Sequence, residues 1–299
     1  MTVVWTTEFA TRNPGLLRNV SIGVACLIAL VVPAAVGGKP ATSSPRGTIG
    51  VASSVDFETV LLMTPVGGAV DQVRAPDRIF SLRADISRDG KRIAIAGLRG
   101  IWVFPRSGAG ARRRVVKAPP TAFAPDWVTW SPHGERLVFT RGQALFTVAT
   151  TGGKVKKILG GPAYAPDWSP TGTHIVFVRD PAESTGAGLI QSVRPDGRDL
   201  RSIVRGGHPD ISPDGSRLAF SRPEGIYVMS MTGGKPKLVI RNGERPEWSP
   251  DGRYLAFTRQ VVCGDAVCSG RVFIVRATGG KARAIGPEIF DIGPLSWSK

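Results

Sequence analysis

Cysteine, histidine and helical periodicity are what this sequence has least of. Three cysteines and three histidines in 299 residues leave little material for a metal centre or a histidine-based catalytic constellation. The histidines are also scattered: His133 and His174 fall in or beside turn sequences, and only His208, before Pro209, stands at the entry of a strand. No G-x-S-x-G elbow is present, which removes the commonest serine-hydrolase arrangement. Beyond residue 40 no stretch carries the i, i+3, i+4 spacing of an amphipathic helix, so the chain reads as all-β. Acidic side chains are in deficit, 23 against 39 basic ones, and the resulting charge of +16 favours anionic partners without bearing on the fold.

Glycine and proline are plentiful, at 37 and 24 residues, and evenly spread, as many tight turns require. The first 38 residues differ from the rest. Arg12 and Arg18 precede an uncharged run at residues 20–36, and small residues follow at Ala34, Ala35, Gly37 and Gly38. That is the pattern of a cleaved export signal, with an uncleaved membrane tether through residues 20–36 as the alternative. Residues 39–46 form a short linker. An extracytoplasmic location follows (periplasmic, cell-surface or secreted, with or without a membrane anchor), and it makes nucleic acid an unsuitable partner. An oxidising compartment would also permit a disulfide between Cys263 and Cys268. The alternative is two thiols, since two sulfurs with no nearby histidine do not complete a zinc site.

From Ser44 onward one turn sequence keeps returning. It reads S-P-R-G at Ser44, S-R-D-G at Ser87, S-P-H-G at Ser131 and S-P-T-G at Ser169. It then reads S-P-D-G at Ser212 and Ser249, and a truncated W-S-K closes the chain at Ser298. Proline presets φ in such a turn, aspartate bonds its own backbone and glycine accepts positive φ. After each turn comes an apolar strand (residues 93–96, 137–140, 175–178, 218–221 and 255–258), then a second strand, a glycine turn and a basic-apolar strand. An aromatic or isoleucine stands just before the serine, at Ile86, Trp130, Trp168, Ile211, Trp248 and Trp297. With the strand that carries it, each unit of about 40 residues has four strands, the plan of a propeller blade. Residues 47–73 supply the second, third and fourth strands of a blade, and residues 295–298 supply a first strand. The expectation is a six-bladed β-propeller over residues 47–299, with four antiparallel strands per blade. The ring is closed by N-terminal strands pairing with a C-terminal strand.

The P-x-W-S-P-D-G sequence with its downstream G-G turn resembles the TolB-type, WD40-like propeller repeat, over roughly residues 44–299. The resemblance implies the fold and an association with protein–protein interaction. The N-terminal α/β domain through which that family engages partners has no expected counterpart between the apolar run and the first strand. The family's specific partners are therefore not carried over.

Several residues are candidates for function. Asp85, Asp167, Asp210 and Glu247 recur two places before the repeat serine, and Asp126 stands in a similar strand entry. Carboxylates ringed around a channel would suit a hard cation such as calcium; bonding to turn amides or to arginines is the structural alternative. Basic residues follow the glycine turns, at Arg112–Arg114, Lys154, Lys156, Lys157, Lys235, Lys237, Lys281 and Arg283. They either protect the edges of outer strands or form a rim for anionic envelope polymers. Residues 179–188 and 259–271 read as insertions between second and third strands, on the face that also holds the blade connections. Phe123, Tyr164, His208, Arg245 and Phe290 are the candidate binding residues of that face. The expected function is an exported, non-enzymatic, monomeric scaffold that binds a protein or an anionic envelope component and needs no cofactor. The alternative is a metal-assisted hydrolase or lyase using the acidic ring and His208.

Overall fold

The computed structural model describes residues 45–53, 59–67, 70–74, 83–118, 123–179, 188–263, 268–290, 293 and 295–299. The expected export signal or tether, and most of the linker, lie outside the described residues. Among the described residues all regular structure is strand, and no helix is long and apolar enough to cross a membrane.

The repeated turn is built as its residues require. Gly252 N–H donates to Ser249 O at 2.8 Å, closing the turn. Ser249 Oγ donates to Asp251 Oδ1 at 2.6 Å and accepts from Tyr254 N–H at 2.9 Å. Gly252 has φ 67°, where a Cβ is strained. The same closing bond joins Gly90 to Ser87, Gly134 to Ser131, Gly172 to Ser169 and Gly215 to Ser212. Each turn sends an entry strand back as the next strand of its sheet.

The strands follow in chain order. The first seven are β1 (Thr48–Ser53), β2 (Thr59–Met63), β3 (Val70–Arg74), β4 (Arg83–Ile86), β5 (Arg92–Gly97), β6 (Gly100–Pro105) and β7 (Arg113–Lys117). Next are β8 (Pro125–Trp130), β9 (Arg136–Arg141), β10 (Ala144–Ala149), β11 (Lys156–Leu159), β12 (Tyr164–Trp168), β13 (Ile175–Arg179), β14 (Gly188–Val193) and β15 (Arg201–Ile211). The last eight are β16 (Arg217–Arg222), β17 (Gly225–Ser230), β18 (Lys237–Arg241), β19 (Glu244–Trp248), β20 (Tyr254–Cys263), β21 (Cys268–Arg276), β22 (Arg283–Phe290) and β23 (Leu295–Ser298).

They form a propeller-like ring of antiparallel sheets. Four sheets have four strands, in the orders β23-β1-β2-β3, β4-β5-β6-β7, β8-β9-β10-β11 and β19-β20-β21-β22; a fifth runs unbroken from β12 to β18. The long sheet arises because β15 serves two neighbours, pairing through Gly206 with β14 and from Gly207 onward with β16. Glycine at this handover is required by space: a Cβ on Gly206 would lie 2.4 Å from Phe220 Cδ2. At the other seam β1 pairs with β23, Ile49 opposite Trp297. The entry strands β4, β8, β12, β15, β19 and β23 touch in succession, and β23 touches β4.

Residues 259–271 were expected to form a loop insertion, and most of them are strand instead. β20 and β21 continue to the pair Cys263 and Cys268, with an irregularity between Gln260 and Val262. β22 follows them out to Phe290 opposite Ser269. The backbone ladder continues through these residues, so the segment is a three-stranded extension of the sheet. The centre of the other expected insertion, residues 180–187, lies outside the described residues.

The slot before each repeat serine packs one sheet on the next. All six slot side chains are buried: Ile86, Trp130, Trp168, Ile211, Trp248 and Trp297. Trp130, for example, shares an apolar cluster with Ala94, Ile101 and Val103 of the preceding sheet and Phe139 of its own. Arginines close the seam from outside. Arg92 lies 4.6 Å from the Trp130 ring centroid and donates to Gly134 O at 2.8 Å; Arg217 does the same with Trp248 at 4.3 Å and Gly252 O at 2.9 Å.

Candidate functional site

Because alternate residues of a strand face the same side, the residues one and three places before the slot point the same way. On the entry strands that side is the axial channel, which encloses a cavity of about 190 Å³. Two levels of side chains line it. The residues one before the slot are Asp85, Thr129, Asp167, Asp210, Glu247 and Ser296; those three before it include Arg83, Trp127, Ala165, His208 and Arg245.

The first level ties sheets together. Trp130 N–H donates to Asp85 Oδ2 at 2.8 Å, Ile211 N–H to Asp167 Oδ2 at 3.0 Å, Trp248 N–H to Asp210 Oδ2 at 2.5 Å and Trp297 N–H to Glu247 Oε1 at 3.2 Å. Ile86 N–H donates to Ser296 Oγ at 2.9 Å, and that hydroxyl donates to Asp85 Oδ1 at 2.6 Å. Each of these amides belongs to the next entry strand of the ring. The acids recur, then, as acceptors for amides that the seams would otherwise bury unpaired.

Their protonation follows from crowding. Burial raises the Asp85 carboxyl above its ordinary range, although the Ser296 hydroxyl and the Trp130 amide pull the other way. Burial lifts Asp167 to about 7, against the pull of the Ile211 amide and with help from the charge of Asp85. Asp210 and Glu247 are pushed well above the usual carboxyl range, first by burial and then by neighbouring acids; Asp167 and Asp210 also hydrogen-bond each other. At neutral pH this level therefore holds protons.

The second level has a different character. The Arg83 guanidinium lies 4.1 Å from the Trp127 ring centroid, and its Nε donates to Asp126 Oδ1 at 3.3 Å. Trp127 and His208 have ring centroids 5.5 Å apart, and His208 Nδ1 lies 3.2 Å from Ser221 Oγ. Burial, then the positive charges of Arg245 and Arg83, lower His208 to about 3 and keep its imidazole neutral. Ala165, His208 and Arg245 have φ of 44°, 47° and 53°, each before a proline and at a ladder irregularity. Bulges of this kind re-aim side chains.

Of the residues predicted for binding, His208 and Arg245 line the channel, and Tyr164 is half-buried against the cluster that includes Val176 and Phe220. Phe123 is 76% exposed and lies beside the β9–β10 turn, where a Cβ on Gly142 would be 3.0 Å from its Cδ2. Phe290 ends β22, and its side chain lies outside the described residues. Of the predicted acids, four meet at the channel, but Asp126 does not. It stands four places before the slot, on the opposite side of the strand, exposed and bonded to Arg83. Among the described residues no group of three or more acids, histidines or cysteines is placed to hold a metal ion. Arg83 and Trp127 were not anticipated; the same count back from the slot that finds His208 and Arg245 would have found them.

No protein-family model and no curated protein matches the chain. Solved structures do. TolB from Acinetobacter baumannii aligns with a TM-score of 0.69 and 17% identity, over 86% of this chain and 67% of that one. A TolB-type protein from Agrobacterium tumefaciens aligns with 0.60 and 17%, over 86% of this chain and 100% of that one. A chain of a nidogen/laminin complex aligns with 0.68 and 10%, over 84% and 98%. The fold is that of the TolB-type β-propellers.

Proposed function

We propose that this chain is an exported six-bladed propeller that acts as a non-enzymatic binding scaffold. Counting the two halves of β15 as the outer strand of one blade and the entry strand of the next turns the five sheets into six four-stranded units. The run of contacts from β4 through β23 and back to β4 supports a closed ring. Removal of residues 295–299 would leave β1 as an open edge and is expected to give a less stable, aggregating protein. An unchanged melting temperature would count against closure.

The observation that carries the binding reading is the contrast between the two ends of the channel. Toward the repeat turns, side chains are spent on joining sheets. Toward the blade connections stand the exposed ring of Phe123, the β20–β21–β22 extension and the two cationic groups at the channel mouth. Rigid sheets that present such features suit a partner protein or an anionic envelope component. The TolB and nidogen likenesses fit a protein partner, and the apolar run at residues 20–36 behind Arg12 and Arg18 supports an extracytoplasmic location. Cys263 and Cys268, opposite one another in the ladder, have the spacing that an oxidising compartment would convert to a disulfide.

The test is capture from an envelope extract by the full chain, beside a variant with residues 261–269 replaced by a short turn and Phe123→Ser. The scaffold reading expects one partner that cross-links to the wild type and is lost from the variant. A partner retained equally by both would refute the assignment of this face.

A further inference from the structure

The outer edges of two neighbouring sheets form a surface of one charge. β7 and the residue before it carry Arg112–Arg114 and Lys117; β11 and its approach carry Lys154, Lys156 and Lys157. All of them are exposed. No acid occurs in residues 106–118 or 144–162. Along the outer strands acids return in the sheet before, at Asp71 of β3, and in the sheet after, at Asp196 and Asp199 between β14 and β15. The two edges are also locked together. Arg113 Nη1 donates to Thr151 O at 2.9 Å, and a Cβ on Gly152 would lie 4.0 Å from Val115 Cα. Val155 packs on the apolar cluster that holds Val115 and Val116. Edges fixed in this way offer their cations to a ligand at a reduced ordering cost.

Contacts within the chain divide these cations into two kinds. Arg112 donates to Gly108 O, Arg113 to Thr151 O, and Arg114 stacks 5.5 Å from the Trp102 ring centroid. These three hold the edge and contribute their field. The ammonium groups of Lys117, Lys154, Lys156 and Lys157 have no hydrogen bond or ion pair among the described residues. Protection of a strand edge does not demand such density: β3 is outermost in its sheet as well, and its Asp71 and Arg74 cancel. The spacing selects the form of the partner. At no more than about 3.3 Å per residue, Lys154, Lys156 and Lys157 fall within about 10 Å of one another, which suits a chain that repeats its anion at short intervals. A bilayer is less apt, because none of the exposed large apolar side chains of the described residues lies on these strands to insert into it. We propose that the β7–β11 edge binds a linear anionic polymer, gripped by Lys117, Lys154, Lys156 and Lys157. This surface is on the outer wall, apart from the partner-binding face, and stands whether or not a protein docks there.

The test is calorimetric titration of the full chain with sodium polyphosphate, with inorganic phosphate and phosphatidylglycerol vesicles as comparison probes. A net charge of +16 attracts any polyanion, so two triple variants with the same loss of charge are compared. One carries Lys154→Glu, Lys156→Glu and Lys157→Glu; the other carries Lys235→Glu, Lys237→Glu and Lys281→Glu, exposed lysines of the β18 and β22 edges. Polyphosphate is expected to bind the wild type, the second variant within about threefold of it, and the first at least about tenfold more weakly. Wild-type binding should weaken at least about tenfold between about 50 mM and about 200 mM salt, and inorganic phosphate should give no saturable heat. Should the first variant unfold, glutamine at the same three positions, which removes charge without reversing it, is expected to weaken polyphosphate at least about threefold. Equal weakening in the two glutamate variants would reduce the binding to net charge and overturn the proposal. The absence of polyphosphate binding, its independence of salt, or vesicle binding that only the first variant loses would overturn it too, the last by making the edge a membrane contact.

Discussion

The acid level of the channel makes the stability of this protein depend on pH in an unusual direction. Most folded proteins gain stability as carboxyls ionise, because native carboxylates are paired. Here Asp167 is raised to about 7 from an ordinary 3.8, and Asp210 and Glu247 are also raised well above their ordinary values. The native state therefore keeps protons that the unfolded chain has released. Stability from these groups is fully present below the unfolded value near 4 and is lost as pH climbs toward the native value. For Asp167 alone the full difference is on the order of 4 kcal/mol. The opposite trend comes from the turns: Asp214 is lowered to about 2, chiefly by the Ser212 hydroxyl, and its stabilisation disappears as pH falls from 4 toward that value. Maximum stability should thus fall near pH 4–5. Urea unfolding at pH 4.5, 6.0 and 7.5, at constant ionic strength, measures it. The double variant Asp167→Asn, Asp210→Asn keeps an oxygen to accept the Ile211 and Trp248 amides and removes both charges, so its pH slope should flatten. A wild-type stability that is constant or rises between pH 4.5 and 7.5, or an unchanged slope in the double variant, refutes the reasoning.

Three further outcomes follow from the packing. Trp248→Ala empties a slot and strips the partners of Arg217 and of Asp210 O, and should cost about 3–5 kcal/mol in urea unfolding. Two glycines should separate strain from collision. Gly252→Ala meets only ordinary contacts at a positive φ and should cost about 1–2 kcal/mol. A Cβ at Gly225 would lie 2.1 Å from Ile240 O, so Gly225→Ala should cost clearly more, and equal costs would contradict the register given for β17 and β18. Protein purified from an oxidising compartment should resist alkylation at Cys263 and Cys268 until reduced, as mass spectrometry would show.

The repeat was readable because each of its elements is local. Ser249, Pro250, Asp251 and Gly252 close one turn within themselves, and the same letters announce the same turn wherever they recur. The bonds that make the ring were hidden because they run between repeats. Asp85 meets the amide of Trp130 and Asp210 that of Trp248, and nothing in either residue's neighbourhood indicates a partner one unit away. Asp126 was misplaced for want of strand parity: four places before the slot is the outer side, whatever the charge. The left-handed backbone of His208 and Arg245 was not readable either, since a residue before proline ordinarily takes an extended conformation.

Variation among the repeats separates architecture from function. One place before the slot, five of the six residues accept an amide of the following entry strand, and even Ser296 substitutes for a carboxylate. A position under that constraint has little freedom to evolve chemistry. Three places before the slot the ring reads Arg83, Trp127, Ala165, His208 and Arg245 in turn, although all share the same face of their strands and the same cavity. Ala165 shows that the left-handed bulge is satisfied by a methyl group, so the fold asks for nothing larger there. At the other positions of that level the side chains make cross-strand contacts of their own: Arg83 of β4 bonds Asp126 and stacks on Trp127 of β8, and Trp127 meets His208 of β15.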